Sequence, residues 1–265
     1  MTTANGNRPG QLEGRIAVVT GGGRGIGRAI ALRWAREGAT VVISSRTQGD
    51  LEAVVEQMRA EGGDGRAVVA DAMDRDDARE PVRAALREFG RIDILLNNVG
   101  GSAGRHHDPF DGDDATFEDT VTLNLTSAFW TTRAALPAMR EQGYGRILSI
   151  GSGASKHTGA NLAYVTAKHG LAGFTKQLAA AGAPHGITVN LLCPGWTSTS
   201  LIDWEVIGAS KGMTAAEAEA WASSFALQNR VLAPEELTGM ATLLVADDGL
   251  GVTGQVISVD GGYKV

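Results

Sequence analysis

Tyr164 and Lys168 stand four residues apart in a stretch with helical patterning, so both side chains project from one face. A phenol with its ordinary pKa of about 10 shuttles protons poorly at pH 7, and an adjacent ammonium would lower that pKa toward a useful range. Such pairs also arise by chance on many helices. Ser152 makes the pair more specific, because it follows an apolar run (Arg146-Ile-Leu-Ser-Ile-Gly) that reads as a strand and so lies at a sheet edge. A hydroxyl there could hydrogen-bond an oxygen on which charge develops. Ser155 competes for that role from later in the same loop and ranks second. Asn124, inside the apolar helical stretch Thr122-Leu-Asn-Leu-Thr126, is an amide in need of partners. It either bonds within its helix or anchors a water reaching Lys168.

The elements that must position these residues alternate. Short β-rich runs at Ile16–Thr20, Thr40–Ser44, Arg66–Ala70, Ile92–Leu96, Arg146–Ile150, Ile187–Leu192 and Val256–Val259 are separated by amphipathic stretches. These are Gly25–Glu37, Leu51–Ala60 and residues near 75–89, 115–142, 161–182 and 234–246. The alternation predicts crossover connections and a parallel sheet covered on both faces, an α/β doubly wound, Rossmann-like domain of seven strands. Strands without polar alternation fit burial on both sides. Residues 201–228 break the rhythm with Trp204, Met213, Trp221, Phe225 and a capping-box pattern at Thr214 and Glu217. They are either a surface helical pair or, from their place after the sixth strand, a lid over the carboxyl ends of the strands.

A second constellation follows the first strand. Thr20-Gly-Gly-Gly-Arg-Gly-Ile-Gly27 opens a helix, the context in which glycines let backbone N–H groups approach a pyrophosphate. Proteins that prefer NAD place a carboxylate about 20 residues further on to bind the ribose 2′-hydroxyl. Here the second strand ends Ser44-Ser45-Arg46. Arg46 and Arg24 could grip a 2′-phosphate, with Ser45 adding a hydrogen bond, which favours NADP(H) over the alternative of two solvated arginines. Asp71 could meet the adenine amine or simply cap a turn. Asn97-Asn-Val-Gly100 would bring backbone to the ribose.

Taken in order, TGGGRGIG, NNVG, the helix Asn, Ser152, Tyr-x-x-x-Lys and Pro194-Gly195-Trp-Thr-Ser-Thr199 resemble the short-chain dehydrogenase/reductase family from Gly14 to Val265, most closely 3-oxoacyl-carrier-protein reductase-like members. The resemblance implies that Gly21, Arg24, Gly25 and Ile26 cradle the pyrophosphate and that Ser45 and Arg46 select the 2′-phosphate. Asp71 and Ala72 would border the adenine, Asn98 and Gly100 the ribose, and Pro194, Thr197 and Thr199 the nicotinamide carboxamide. Tyr164 becomes the general acid/base, and Lys168 its pKa-lowering partner and ribose ligand. Ser152 stabilises the substrate oxygen, and Asn124 holds a relay water. It also implies a small-molecule ketone or secondary-alcohol substrate and a homotetramer built on the helices near 115–142 and 161–182. Two departures are visible: Val99 stands where the family has Ala, and the Ser152-to-Tyr164 interval is one residue shorter than usual.

Composition sets the remaining bounds. Twenty-four Lys and Arg against 30 Asp and Glu give a charge of −6, without the clustered cations that nucleic acid needs. The 36 glycines have no repeating period. The single Cys193 fits a reducing, cytoplasmic compartment, and no apolar run is long enough to span a bilayer. Residues 1–13 are polar and read as a disordered leader. A metal enzyme using His106 and His107 is disfavoured because adjacent histidines do not face one site. A cofactor-sensing protein without catalysis is the remaining alternative. Loss of Tyr164 or Lys168 would have pointed to it.

Overall fold

The computed structural model describes residues 10–102, 110 and 112–265. The chain runs β1 (Ile16–Thr20), α1 (Gly25–Arg36), β2 (Thr40–Ser45), α2 (Gln48–Ala60), β3 (Asp64–Val69), α3 (Arg75–Phe89) and β4 (Ile94–Asn97). It continues through α4 (Asp114–Val121), a π-helical turn (Thr122–Thr126), α5 (Ser127–Gln142), β5 (Gly145–Ile150), α6 (Leu162–Gly182) and β6 (Ile187–Pro194). Helices α7 (Trp204–Ala209), α8 (Ala215–Ser223) and α9 (Thr238–Val245) precede β7 (Val256–Val259). The seven strands form one sheet in the order β3-β2-β1-β4-β5-β6-β7, every neighbouring pair parallel. The order reverses between β1 and β4, which opens a crevice at their carboxyl ends.

The apolar runs explain why the sheet is covered twice. Along β1, Ala17 and Val19 join one core layer with Ile30, Trp34, Val41 and Ile43, while Ile16 and Val18 join the opposite layer with Val82, Leu95 and Met139. A strand whose alternate residues both enter apolar layers has no solvent face, hence its unbroken hydrophobicity. β4 begins at Ile94, two residues after the start expected from the apolar run. Buried Asp93 explains the delay, because its carboxylate takes the Ile16 N–H at 2.9 Å that a strand partner would otherwise bind. Arg91 closes on the same carboxylate.

One expectation needs correction. Residues 10–13 belong to the domain: Leu12 is 1% exposed within the core, and its N–H bonds the Glu37 carbonyl at 2.9 Å. The buried Leu12 side chain and hydrogen bonds from Gln11 and Leu12 to Glu37 fix this otherwise polar segment. The expected helix over 115–142 runs without a break from Asp114 to Gln142, with a π-helical turn inside it at Thr122–Thr126. After β6, residues 201–228 hold α7 and α8, and Thr214 and Glu217 form the expected reciprocal cap.

Candidate active site

The glycine loop sits at the end of β1. Gly22 N–H bonds the Ser44 carbonyl, and a Cβ on Gly22 would lie 2.7 Å from Ile43 atoms, so the loop presses directly onto β2. Gly21 and Gly25 have φ of 66° and 56°, the left-handed region open to glycine. Asn98 fastens the loop by donating its amide to the Thr20 and Gly21 carbonyls, both at 3.0 Å. Ile26 packs on the core, so α1 starts rigidly. No side chain caps this helix, its N-cap Arg24 is exposed, and its first turn lacks an acidic residue. Helices α3, α4, α6, α7 and α8 all carry side-chain caps. Unbonded N–H groups at a positive helix end, on a loop without side-chain bulk, fit a pyrophosphate.

At the end of β2, Ser45 Oγ lies 3.1 Å from where a Gly23 Cβ would be, and Arg46 is exposed. Among the described residues, neither Arg24 nor Arg46 has a side-chain hydrogen bond or ion pair. Ala72 lines a small recess with Thr20, Ser44, Ser45, Ala70 and Val99. Asp71 beside it accepts the Met73 N–H at 3.0 Å, so its carboxylate builds a turn and Asp74 caps α3 instead. On the far side, Thr199 covers Gly25, whose Cβ would meet it at 3.3 Å. Thr197 is buried and donates to the Gly195 carbonyl just beyond Pro194.

Gly100 connects the two constellations. A Cβ there would lie 2.7 Å from Asn124 Oδ1 and 3.1 Å from Lys168 Nζ. Asn124 sits in the π turn, with its Nδ2 donating to the Thr120 and Gly101 carbonyls and its Oδ1 accepting the Gly101 N–H. π turns recur at functional sites because one extra residue redirects side chains. Lys168 is buried and donates to the Ile150 carbonyl at 2.9 Å, with Nζ 5.5 Å from the Tyr164 ring centre. Ser152 leaves β5 in an extended conformation, accepts the Ala154 N–H, and sets its hydroxyl against the Tyr164 phenol. Ser155, the competing hydroxyl, faces inward to Cys193 and accepts the Ser152 N–H at 3.2 Å. It therefore holds Ser152 from behind.

The electrostatics depart from the sequence expectation. Burial pushes the Tyr164 pKa up, and the Ser152 hydroxyl offsets this only in part. Burial also pushes Lys168 down from 10.5 to about 8. The ammonium is engaged with the Ile150 carbonyl, so desolvation outweighs any lowering of the phenol by its charge. Residues that the motif reading missed are Thr20, whose Oγ1 accepts the Asn98 N–H, and Ser155 as the support of Ser152. Thr20 sits one residue ahead of the glycines, and that position is its only signal in the sequence. His106 and His107 lie outside the described residues. Among the described residues no cluster of three or more His, Cys, Asp or Glu could hold a metal ion.

A sheet with its crevice between β1 and β4, bordered by a glycine loop and a Ser–Tyr–Lys cluster, defines a dinucleotide-dependent oxidoreductase. The short-chain dehydrogenase model matches residues 15–206. The chain is 34% identical over 255 residues to the 3-oxoacyl-acyl-carrier-protein reductase FabG of Escherichia coli (strain K12), covering 95% of this chain and 98% of that protein. It is 34% identical over 265 residues to the D-beta-hydroxybutyrate dehydrogenase of Cupriavidus necator, covering 95% and 98%. A Beutenbergia cavernae structure, assigned as an NAD(P)-dependent gluconate 5-dehydrogenase and holding NADP, superposes with a TM-score of 0.86 at 37% identity, over 97% of this chain and 99% of that one. The chain belongs to the short-chain dehydrogenase/reductase family and is an NAD(P)-dependent oxidoreductase acting on CH–OH or keto groups. No helix among the described residues is long and apolar enough to cross a membrane.

Proposed function

We propose that this enzyme is a cytoplasmic NADP(H)-dependent reductase of ketones to secondary alcohols. The observation that carries the reading is a pair of cations without a side-chain partner among the described residues, Arg24 and Arg46, near Ser45 where an NAD-preferring site would present a carboxylate. NADPH, when bound, supplies the hydride for the carbonyl carbon. The pyrophosphate would lie on Gly21, Gly25 and the start of α1 at Ile26, the adenine beside Asp71 and Ala72, and the ribose near Asn98 and Gly100. Pro194, Thr197 and Thr199 would close over the nicotinamide end. The NADP bound in the Beutenbergia cavernae relative supports the same choice.

In this proposal Ser152 donates a hydrogen bond to the substrate oxygen and Tyr164 donates the proton. Burial keeps the Tyr164 phenol protonated near neutrality, the state from which a proton donor starts, and bound cofactor and substrate would have to lower its pKa for fast transfer. Lys168, at about 8, is mostly an ammonium at pH 7 and can bind ribose oxygens. Asn124 acts first as a positioning residue, holding Gly101 and so Gly100 against Lys168, ahead of the water-holding role that the resemblance implies. The relatives' names span ketoacyl and hydroxyacid substrates, so they support a carbonyl/alcohol pair as the shared chemistry. Helices α7 and α8 are proposed as the substrate lid.

Two charge-assisted contacts to the 2′-phosphate are worth about 1.5–3 kcal/mol each before solvent exposure weakens them. NADPH is therefore expected to bind at least about tenfold tighter than NADH, equivalent to about 1.4 kcal/mol. Titration of the purified protein with both nucleotides tests this, and Arg46→Asp should move the preference toward NADH. Equal affinities would overturn the cofactor assignment.

A further inference from the structure

An aromatic run leads from the nicotinamide side of the site to the neighbour of Ser152. Trp196, between Gly195 and Thr197, lies with its ring centre 5.7 Å from Trp204 and 6.1 Å from Trp221. Trp221 meets Phe225 edge-on at 4.9 Å, Phe225 meets Tyr263 at 6.1 Å, and Tyr263 meets His157 at 6.1 Å. The run uses three of the chain's five tryptophans. Every ring in it keeps partial solvent exposure, whereas Trp34 in the core is 0% exposed.

Tyr263 ties this run to the catalytic loop. A Cβ on Gly153, the residue directly after Ser152, would lie 2.6 Å from the Tyr263 ring, so the ring occupies the space that a side chain there would fill. The ring is also held from several sides. Asp260 accepts the Gly262 and Tyr263 N–H groups, and Lys264 N–H bonds the Phe225 carbonyl at 2.8 Å. Leu227 N–H bonds the Gly262 carbonyl at 3.1 Å, and Lys264 Nζ reaches the Thr158 carbonyl at 2.6 Å. The last residues of the chain thus tie the end of the α8 segment to the loop that bears Ser152. Edge-to-face rings that are held in place but partly open offer a flat apolar guest a further ring contact without loss of their own freedom.

We infer that Tyr263 is a specificity-determining residue, and that the substrate is a ketone or secondary alcohol carrying an aromatic ring within one or two bonds of the carbonyl carbon. This rests on the oxidoreductase reading of the same site. The test separates the two by measuring binding and turnover independently. Calorimetry of 1-phenylethanol and 2-butanol against NADPH-loaded protein reads binding without chemistry, and NADPH oxidation with acetophenone and 2-butanone reads turnover. Wild type and Tyr263→Phe should favour the aryl compound by at least about tenfold, and Tyr263→Leu should bring the ratio of aryl to alkyl kcat/KM to within about threefold of one. Aryl-selective binding without reduction of either ketone would sink the proposed reaction and leave this inference standing. Absence of an aryl preference in wild type would overturn the inference whatever the variants do. An equal loss on both substrates in Tyr263→Leu would also overturn it, because the aromatic run would then serve only to fasten α8.

Discussion

Lys168→Met tests the electrostatic description of the site through stability instead of rate. Burial holds the ammonium at about 8 against an ordinary 10.5, so at pH 7 the folded state carries a charge that the unfolded chain carries more easily. At about 1.4 kcal/mol per pH unit, this difference is worth about 3 kcal/mol against folding below pH 8. Methionine removes that penalty and fills similar volume. It also leaves the Ile150 carbonyl without its 2.9 Å donor, which costs about 1–3 kcal/mol. The two effects nearly cancel, so at pH 7 the variant should be no less stable than wild type although it is inactive and binds NADPH more weakly. The pH dependence is sharper. Between about 8 and 10.5 the unfolded wild-type chain binds more protons at this lysine than the folded one, so wild-type stability rises with pH by about 3 kcal/mol from this group alone. The variant lacks that rise, and the one other titration that Lys168 touches directly is that of Cys193, whose thiol its charge lowers. Urea unfolding of both proteins from pH 7.5 to 10 should therefore show wild type gaining on the variant. A constant difference across that range would refute the claim that Lys168 is held desolvated and charged.

Three further outcomes follow from the same geometry. Tyr164→Phe keeps the ring and loses the proton, so NADPH binding and folding should survive while kcat for the best ketone falls about 10²–10⁴-fold; near wild-type turnover would return the site to the non-catalytic reading. Asp93→Ala strips the Ile16 N–H and Arg91 of their shared acceptor at the foot of β1 and β4 and should cost about 3 kcal/mol in chemical denaturation, whereas a loss under about 1 kcal/mol would show that the delayed start of β4 is incidental. The tetramer that the family resemblance implies would use α5 and α6, where Phe129 and Leu162 are exposed and, among the described residues, nothing lies within 4 Å of where a Gly173 Cβ would be; light scattering at micromolar concentration should then give four chains, with a monomer ruling it out.

The centre of the sheet was legible because β1, β2, β4, β5 and β6 are buried on both faces and so read as short unbroken apolar runs between longer amphipathic stretches. Val256–Val259 was read at the bounds the structure gives it, although each of its residues keeps some exposure. Leu12 was not legible, since one apolar residue among polar ones carries no period. Nor was the π turn, because Thr122-Leu-Asn-Leu-Thr126 continues the apolar pattern of its neighbours and gives no mark of one extra residue per turn. The contribution of the chain's last residues was hidden for a different reason. Tyr263 matters through its approach to Gly153, and a contact across more than a hundred positions leaves no local trace.

The site residues were identifiable by type and order, but the direction of their electrostatics was not. From spacing alone, the Lys168 ammonium is the largest influence on the Tyr164 phenol. In the folded chain both groups are desolvated together, and the phenol rises while the ammonium falls. Neither shift can be read without knowing that β5 passes behind them and that Ile150 presents its carbonyl to Nζ. The π turn supplies the complementary constraint. It directs Asn124 onto Gly101, which sets Gly100 against both Asn124 and Lys168 and leaves the lysine little room to withdraw toward solvent. The residue types specify a proton donor and its cation. The packing of one irregular helical turn against one glycine helps keep the cation buried, while the phenol's own burial keeps the donor protonated.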